Sequence, residues 1–397
     1  MRILQANRPK EIIRIMQDIR VDSYGIQIML PKAISCLIKM DSVSNITANI
    51  LKQEMLSLGG DVAVARGALT GKAKKTDCLL MGNLSQFNRL NQKLKVQPFG
   101  LDRLSQALDL TLKNYQKEKF NISLGKYKLS LASAKINVMG ILNVTPDSFS
   151  GDGLYYSSAG EIVDYAQKLL SDGADIIDVG GESSRPAAMP VSIKEEICRT
   201  IPVIKSLAKK IKAPISIDTH KPEVAQRALD CGASLVNDIT GLRDPKMAKV
   251  IARNKAAVVI MHMKGTPRTM QKNPKYDSLV DEVIEYLEAA LNCALEAGVD
   301  KDKIIVDPGI GFGKTAEDNL AILQNLQDFK VLGKPILVGT SRKSFIGKIL
   351  DAGPQERLSG TIASCVMAAQ NGAKIVRTHD VKEVSDALKL FSAINNT

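Results

Sequence analysis

Eight short apolar runs in the last two thirds of this 397-residue chain end in residues that bind or move charge. Asn143 follows the first run, GGESSRP (180–186) the second, Asp218 closes the third in IDTHKP, and Asn237 and Asp238 close the fourth. His262 ends the fifth, Asp307 the sixth, TSRKS (340–344) follows the seventh and RTHD (377–380) the eighth. An Asp or Asn in such a place often caps the next helix, which accounts for any one of them alone. Capping does not account for eight polar endings among which stand all three histidines of the chain, His220, His262 and His379. Carboxylates beside an amide, as Asp218, Asn237 and Asp307 provide, can pair with a flat heterocycle bearing amino and lactam groups. Arg377, His379 and Lys343, with Arg185 reaching from a loop, are donors of the kind that hold phosphate or diphosphate. The set calls for a ligand with a polar ring head and an anionic tail.

For these ends to meet, the runs must be parallel strands of one sheet. INVMGIL (136–142), ADIIDVG (174–180), PISID (214–218), SLVND (234–238), AAVVIMH (256–262), KIIVD (303–307), PILVG (335–339) and KIVRT (374–378) alternate with amphipathic stretches such as AGEIVDYAQKLLSDG and KPEVAQRALDCG. That rhythm predicts β/α units, several closed by a glycine just past the helix end. Eight units in roughly 260 residues match the size of a (β/α)8 TIM barrel, an α/β fold whose chemistry sits at the C-terminal strand ends. A doubly wound open sheet rarely needs eight strands in a row. Ahead of the barrel, FNISLGKYKLSLA reads as a hairpin turning at Gly125, placed to plug the barrel bottom.

Residues 1–119 read as a separate small α/β domain, and 120–397 as the catalytic barrel. NITANILKQEMLSLGG predicts a helix with a glycine stop, TDCLLMG a short strand, and Leu101, Leu104, Leu108 and Leu112 a helical stripe. The net charge of +12 belongs to the front of the chain: residues 1–135 hold 22 Lys and Arg against 10 Asp and Glu, and the remainder 32 against 32. Such a surplus raises a nucleic-acid module. Outside KAKK (72–75) and KNYQKEK (113–119) the basic residues are dispersed, aromatics are few and no finger or RNP motif is present, so a solvated basic face is preferred.

Composition excludes other classes. With 45% hydrophobic and 24% charged residues the chain is neither disordered nor collagenous, and no run reaches the roughly 18 apolar residues of a membrane span. The charged start, MRILQANRPKEIIRIMQ, lacks an apolar signal core, which predicts a cytoplasmic protein without membrane partners. Six scattered cysteines with no C-x-x-C pair indicate neither a disulfide framework nor a zinc site. PGIGFGKT (308–315) imitates a phosphate loop, but only three residues separate Gly309 from Gly313 where four are needed. Gly311, Gly313 and Ala316 fit a dinucleotide glycine pattern, yet they come at the sixth strand and lack the acidic residue about twenty positions on. Phe312 can offer a ring face to an aromatic substrate or simply pack.

In order and spacing, NVTPDSFS, DVGGESSRP, ISIDTHKP, LVNDITG, DPGIGFGKT, GTSRKS and RTHDV resemble the dihydropteroate synthases of folate biosynthesis. The resemblance implies a transferase that joins 6-hydroxymethyl-7,8-dihydropterin diphosphate to 4-aminobenzoate with Mg2+, working as a homodimer. It implies that Asp218, Asn237, Asp307 and Lys343 hold the pterin, lined by Ile239, Phe312 and Gly339, and that Asn143 is the magnesium ligand. Arg377 and His379 would anchor the diphosphate, Ser344 and Phe312 would touch the aminobenzoate, and loops bearing Asp147, Phe149, Ser184, Arg185 and Pro186 would close over the substrates. Asp307, Lys343, Arg377 and His379 are thereby the expected catalytic set. Two departures, Ser184 with Ala187 and Gly151 before Asp152, fall in those loops and concern fine specificity. The related methyltetrahydrofolate:corrinoid methyltransferases would share the acid and amide contacts but have little use for a diphosphate clamp.

Overall fold

The computed structural model describes residues 1–4, 6, 8–132, 135–145, 159–183 and 189–396. They form two compact units, Met1–Lys113 and Asn114–Thr397. In the first unit β1 (Ser35–Ser44), β2 (Asp61–Val64) and β3 (Lys75–Asn83) make an antiparallel sheet in the order β1-β3-β2. The glycine-stopped helix is Asn45–Ser57: Ser44 caps its start by accepting from the Thr47 N–H at 3.1 Å, and Gly59 follows its end at φ +79°. Leu51, Met55, Leu80, Phe87, Leu90 and Leu101 share one core. The sequence pattern does not foretell β1, whose run SCLIKMDSVS is half polar and weakly alternating, nor the helices Pro9–Asp18 and Ser23–Ala33.

The second unit begins a few residues before the expected boundary at 119/120. Asn114 donates from Nδ2 to the Val331 carbonyl at 2.8 Å, and Glu118 pairs with Lys330 and Lys374, so this stretch is tied to barrel elements. A hairpin follows, β4 (Phe120–Leu124) and β5 (Tyr127–Leu131), with Gly125 at φ +61° in its turn.

Eight strands then close into a barrel in chain order: β6 (Asn137–Asn143), β7 (Ile176–Gly180), β8 (Ile215–Asp218), β9 (Leu235–Asp238), β10 (Ala257–Met261), β11 (Ile304–Asp307), β12 (Ile336–Val338) and β13 (Ala373–Thr378). All neighbours are parallel, and β13 returns to β6 with Ile375 opposite Asn137. This is the (β/α)8 architecture that the eight runs predict. Val138, Ile177 and Val236 face the surrounding helices, while Met139, Ile176, Leu235, Ile305, Leu337 and Ile375 face inward and pack on Phe120, Ile122, Leu124, Leu129 and Leu131 of the hairpin. The hairpin therefore closes the N-terminal end of the barrel with side chains, and the opposite end is left to polar groups.

Candidate active site

Strand parity builds the site. Two residues beyond four of the apolar inward positions, the same face of the strand turns polar: Ile176 is followed by Asp178, Leu235 by Asn237, Ile305 by Asp307 and Ile375 by Arg377. One step of the pleat separates the apolar plug from a layer of charge.

Above that layer lies a cavity of about 420 Å³ at the C-terminal strand ends. Asn143, Asp218, Asn237, Ile239, Asp307, Phe312, Gly339, Lys343, Ser344, Arg377 and His379 all line it. Ser184 and Arg185, like Asp147, Phe149, Gly151, Asp152, Pro186 and Ala187, lie outside the described residues. The other two histidines are elsewhere: His220 lines an adjoining cavity with Glu182 and Arg268, and His262 lies buried against Lys314.

The floor is a network of opposed charges. Arg377 donates from Nε to Asp178 Oδ2 at 2.6 Å and from a terminal nitrogen to Asp218 Oδ2 at 2.7 Å, and Asn237 Nδ2 donates to the same Asp178 oxygen at 3.2 Å. Asp178 is wholly buried, and its Oδ1 has no hydrogen-bond partner among the described residues. Burial raises the Asp218 carboxyl to about 7; Arg377 opposes this, while Asp178 and Glu196 reinforce it. Burial likewise raises Asp307, with Lys343 pulling the other way, and one Asp307 oxygen accepts the Gly309 N–H at 2.7 Å. Lys343 is lowered to about 8 by burial, partly offset by Asp307. Its ammonium donates to the Ile310 carbonyl and sits 4.5 Å from the centre of the Phe312 ring. At the rim, His379 Nδ1 meets Ser341 Oγ at 3.1 Å, and Arg342 grips Asp380 beside it.

The loop 309–313 is held from behind. A Cβ on Gly309, at φ +71°, would stand 1.9 Å from the His262 carbonyl, so only glycine lets the loop lie this close to the β10 exit. Lys314 Nζ reaches His262 Nδ1 at 2.8 Å, the Gly309 carbonyl at 3.0 Å and the Phe312 carbonyl at 3.3 Å, three acceptors for the three protons of an ammonium. Burial lowers Lys314 to about 7, and burial together with that ammonium pushes His262 down to about 2, keeping the imidazole neutral. The false phosphate loop is thus a structural support for Phe312. Sequence reasoning missed Asp178 and Lys314, although Asp178 had a signal: it shares the parity of Ile176 inside an otherwise apolar run.

The geometry has counterparts among known proteins. A model of the pterin binding enzymes matches residues 139–379. The dihydropteroate synthase of Escherichia coli K12 is 46% identical over 264 residues, 66% of this chain and 93% of its own length. This chain belongs to the dihydropteroate synthase family. The crystal structure of the Xanthomonas albilineans synthase with 4-aminobenzoic acid aligns with a TM-score of 0.65 at 39% identity, covering 70% of this chain and 99% of that one. A probable bifunctional folylpolyglutamate synthase/dihydropteroate synthase of Halobacterium salinarum is 39% identical over 346 residues, 87% of this chain and 41% of its own length. That match is longer than the whole barrel unit and so extends into the first.

Proposed function

We propose that the barrel unit condenses 6-hydroxymethyl-7,8-dihydropterin diphosphate with 4-aminobenzoate to 7,8-dihydropteroate and diphosphate. The observation that carries this is one cavity whose floor offers Asp218, Asn237 and Asp307 with Arg377 among them, and whose wall and rim offer Lys343 and His379. The carboxylates and the amide take the amino and lactam edge of the pterin, and the cations take its tail. A corrinoid methyltransferase would use the floor and leave the cationic side without work.

In this account Asp218 exchanges partners. A pterin N–H donates to its carboxylate, and the terminal nitrogens of Arg377 become available to diphosphate while Asp178 retains Nε. The C–O bond at the pterin methylene breaks, and its electron pair leaves with the diphosphate. Asp218 and Asp307 steady the positive charge then spread over the ring. The arylamine nitrogen attacks the methylene carbon and loses its proton afterwards, so no strong base is required. Phe312 and Ser344 border the space where the aminobenzoate ring would stand.

The magnesium expectation can be tested against the residues present. Among the described residues no three His, Cys, Asp or Glu converge on a metal-sized site, which leaves Asn143 at the cavity mouth. Its Oδ1 lies 3.2 Å from where a Cβ on Gly180 would be, a space that glycine keeps open. One amide oxygen fits Mg2+, a hard ion that keeps waters and draws most ligands from substrate phosphates. Bound there, the ion would neutralise charge on the departing diphosphate.

As in its relatives' fold the catalytic work is assigned to the barrel, as a cytoplasmic homodimer, with no role given to the basic face of the first unit; among the described residues no helix is long and apolar enough to cross a membrane. The test is dihydropteroate formation by the purified chain, with pterin diphosphate, aminobenzoate and Mg2+ omitted in turn. Product that requires the first two and is stimulated by the third supports the function, and methyl transfer from methyltetrahydrofolate in its place would overturn it.

A further inference from the structure

The basic run KNYQKEK does more than decorate the surface. Lys117 and Lys119 converge with Lys301 and Lys334 on a separate cavity of about 230 Å³, bordered by Phe120 of the hairpin, in which Asp302 is the one acid among the described lining residues. Ile304 opens β11 and Pro335 precedes β12, so this cavity lies at the N-terminal end of the barrel. The apolar plug separates it from the mouth.

Its charge is only partly matched, four lysines against Asp302 in the lining and Asp300 nearby. Glu118, between two of the lysines in sequence, points to Lys330 and Lys374 at 2.5 and 2.8 Å. None of the four cavity lysines forms an ion pair among the described residues. Lys334 donates to the Lys301 carbonyl at 2.6 Å, and Lys117 lies 4.8 Å from the centre of the Phe120 ring, so two ammoniums are fixed by contacts that leave their charge in place. Burial lowers the Lys334 pKa, Lys117 and Lys301 add to this, and Asp302 and Asp300 oppose it.

We propose that this cavity binds a di- or triphosphate group, free or carried on a small nucleotide. Converging ammoniums act as compact point charges suited to a phosphate chain, and their mutual repulsion is relieved when an anion enters. The space is too small and too poorly lined with apolar surface to hold a heterocycle as well, so recognition rests on the phosphates.

Calorimetric titration of the full chain with inorganic diphosphate tests this, using wild type and a Lys119→Ala/Lys334→Met double variant. Two diphosphates per chain are expected in wild type and one in the variant, whose turnover stays within about twofold, because neither lysine is near the mouth. Loss of two charged contacts should weaken the lower site about a hundredfold. A change from one site to none would support the lower site and contradict the diphosphate rim of the mouth, so the two failures are distinguishable. No binding in wild type, or one site in both proteins, would overturn the proposal. Parallel titrations with inorganic triphosphate and ATP separate the sources: equal affinities mean that the chain alone is recognised, and tighter ATP binding means a nucleotide.

Discussion

The two ends of one barrel are built from the same strands and solve opposite problems. At the N-terminal end the inward residues Met139, Ile176, Leu235, Ile305, Leu337 and Ile375 meet a hairpin that fills the space with apolar side chains. At the C-terminal end the next inward residues include Asp178, Asn237, Asp307 and Arg377, and a cavity remains above them. Stability is concentrated in the first layer and chemistry in the second. Buried charges of both signs have a desolvation cost that only mutual pairing or a ligand offsets, so the polar layer is expected to be fragile and specific where the apolar layer is robust.

The largest expected effect on activity comes from the floor. Asp307→Ala or Lys343→Ala removes one of two opposite charges that steady each other on the floor, and kcat/KM for the pterin substrate should fall at least about a hundredfold in steady-state assays. Arg377→Ala should damage both function and fold. It leaves Asp178 and Asp218 facing each other without their cation, a loss of about 3 kcal/mol that denaturant unfolding would register. Comparable stability in wild type and variant would mean that the charge network does not tie the strand ends together.

The floor also predicts a pH profile. Burial raises the Asp218 carboxyl to about 7, so below that value it carries a proton and cannot accept from the pterin. Lys343 titrates at about 8 and loses its charge above it. The profile of kcat/KM for the pterin should therefore be bell-shaped with limbs near these values, and Asp218→Asn should flatten the acid limb. The sign for stability is separate: the folded chain holds a proton on Asp218 that the unfolded chain releases between the ordinary aspartate range and about 7. This group's contribution thus falls as pH rises through that window. An acid limb unchanged in Asp218→Asn would assign it to another group.

A smaller effect is expected behind the loop. Lys314→Met removes the donor that joins the Gly309 and Phe312 carbonyls to His262, and should raise KM for aminobenzoate about tenfold with little change in KM for the pterin. Equal change in both would make Lys314 a general structural residue. The smallest effect on activity belongs to the other end: Leu124→Ala in the plug should cost about 2–5 kcal/mol of stability and leave kcat at permissive temperature near the wild-type value.

Much of this division can be read in the chain, for reasons that differ by residue. The eight strands are legible because a parallel barrel buries both faces and each strand becomes a continuous apolar run. The polar ends are legible because each follows such a run. Asp178 is hidden because it lies inside a run rather than after it, and Lys314 because its motif suggests phosphate and its role is to satisfy carbonyls. In the sequence Arg377 reads as a diphosphate clamp, and the fold adds that two carboxylates engage it. In the first unit β1 is obscure because an antiparallel strand with one open face carries polar residues at half its positions.

The account's central claim is that floor and rim hold different parts of one substrate. Calorimetry of 6-hydroxymethyl-7,8-dihydropterin and of its diphosphate, each into wild type, Asp307→Asn and His379→Ala, tests it most directly. Asp307→Asn should lose affinity for both ligands by about the same factor, whereas His379→Ala should bind the alcohol as wild type does and lose affinity only for the diphosphate. Equal losses for both ligands in both variants would contradict the division and make the cavity a single undifferentiated pocket.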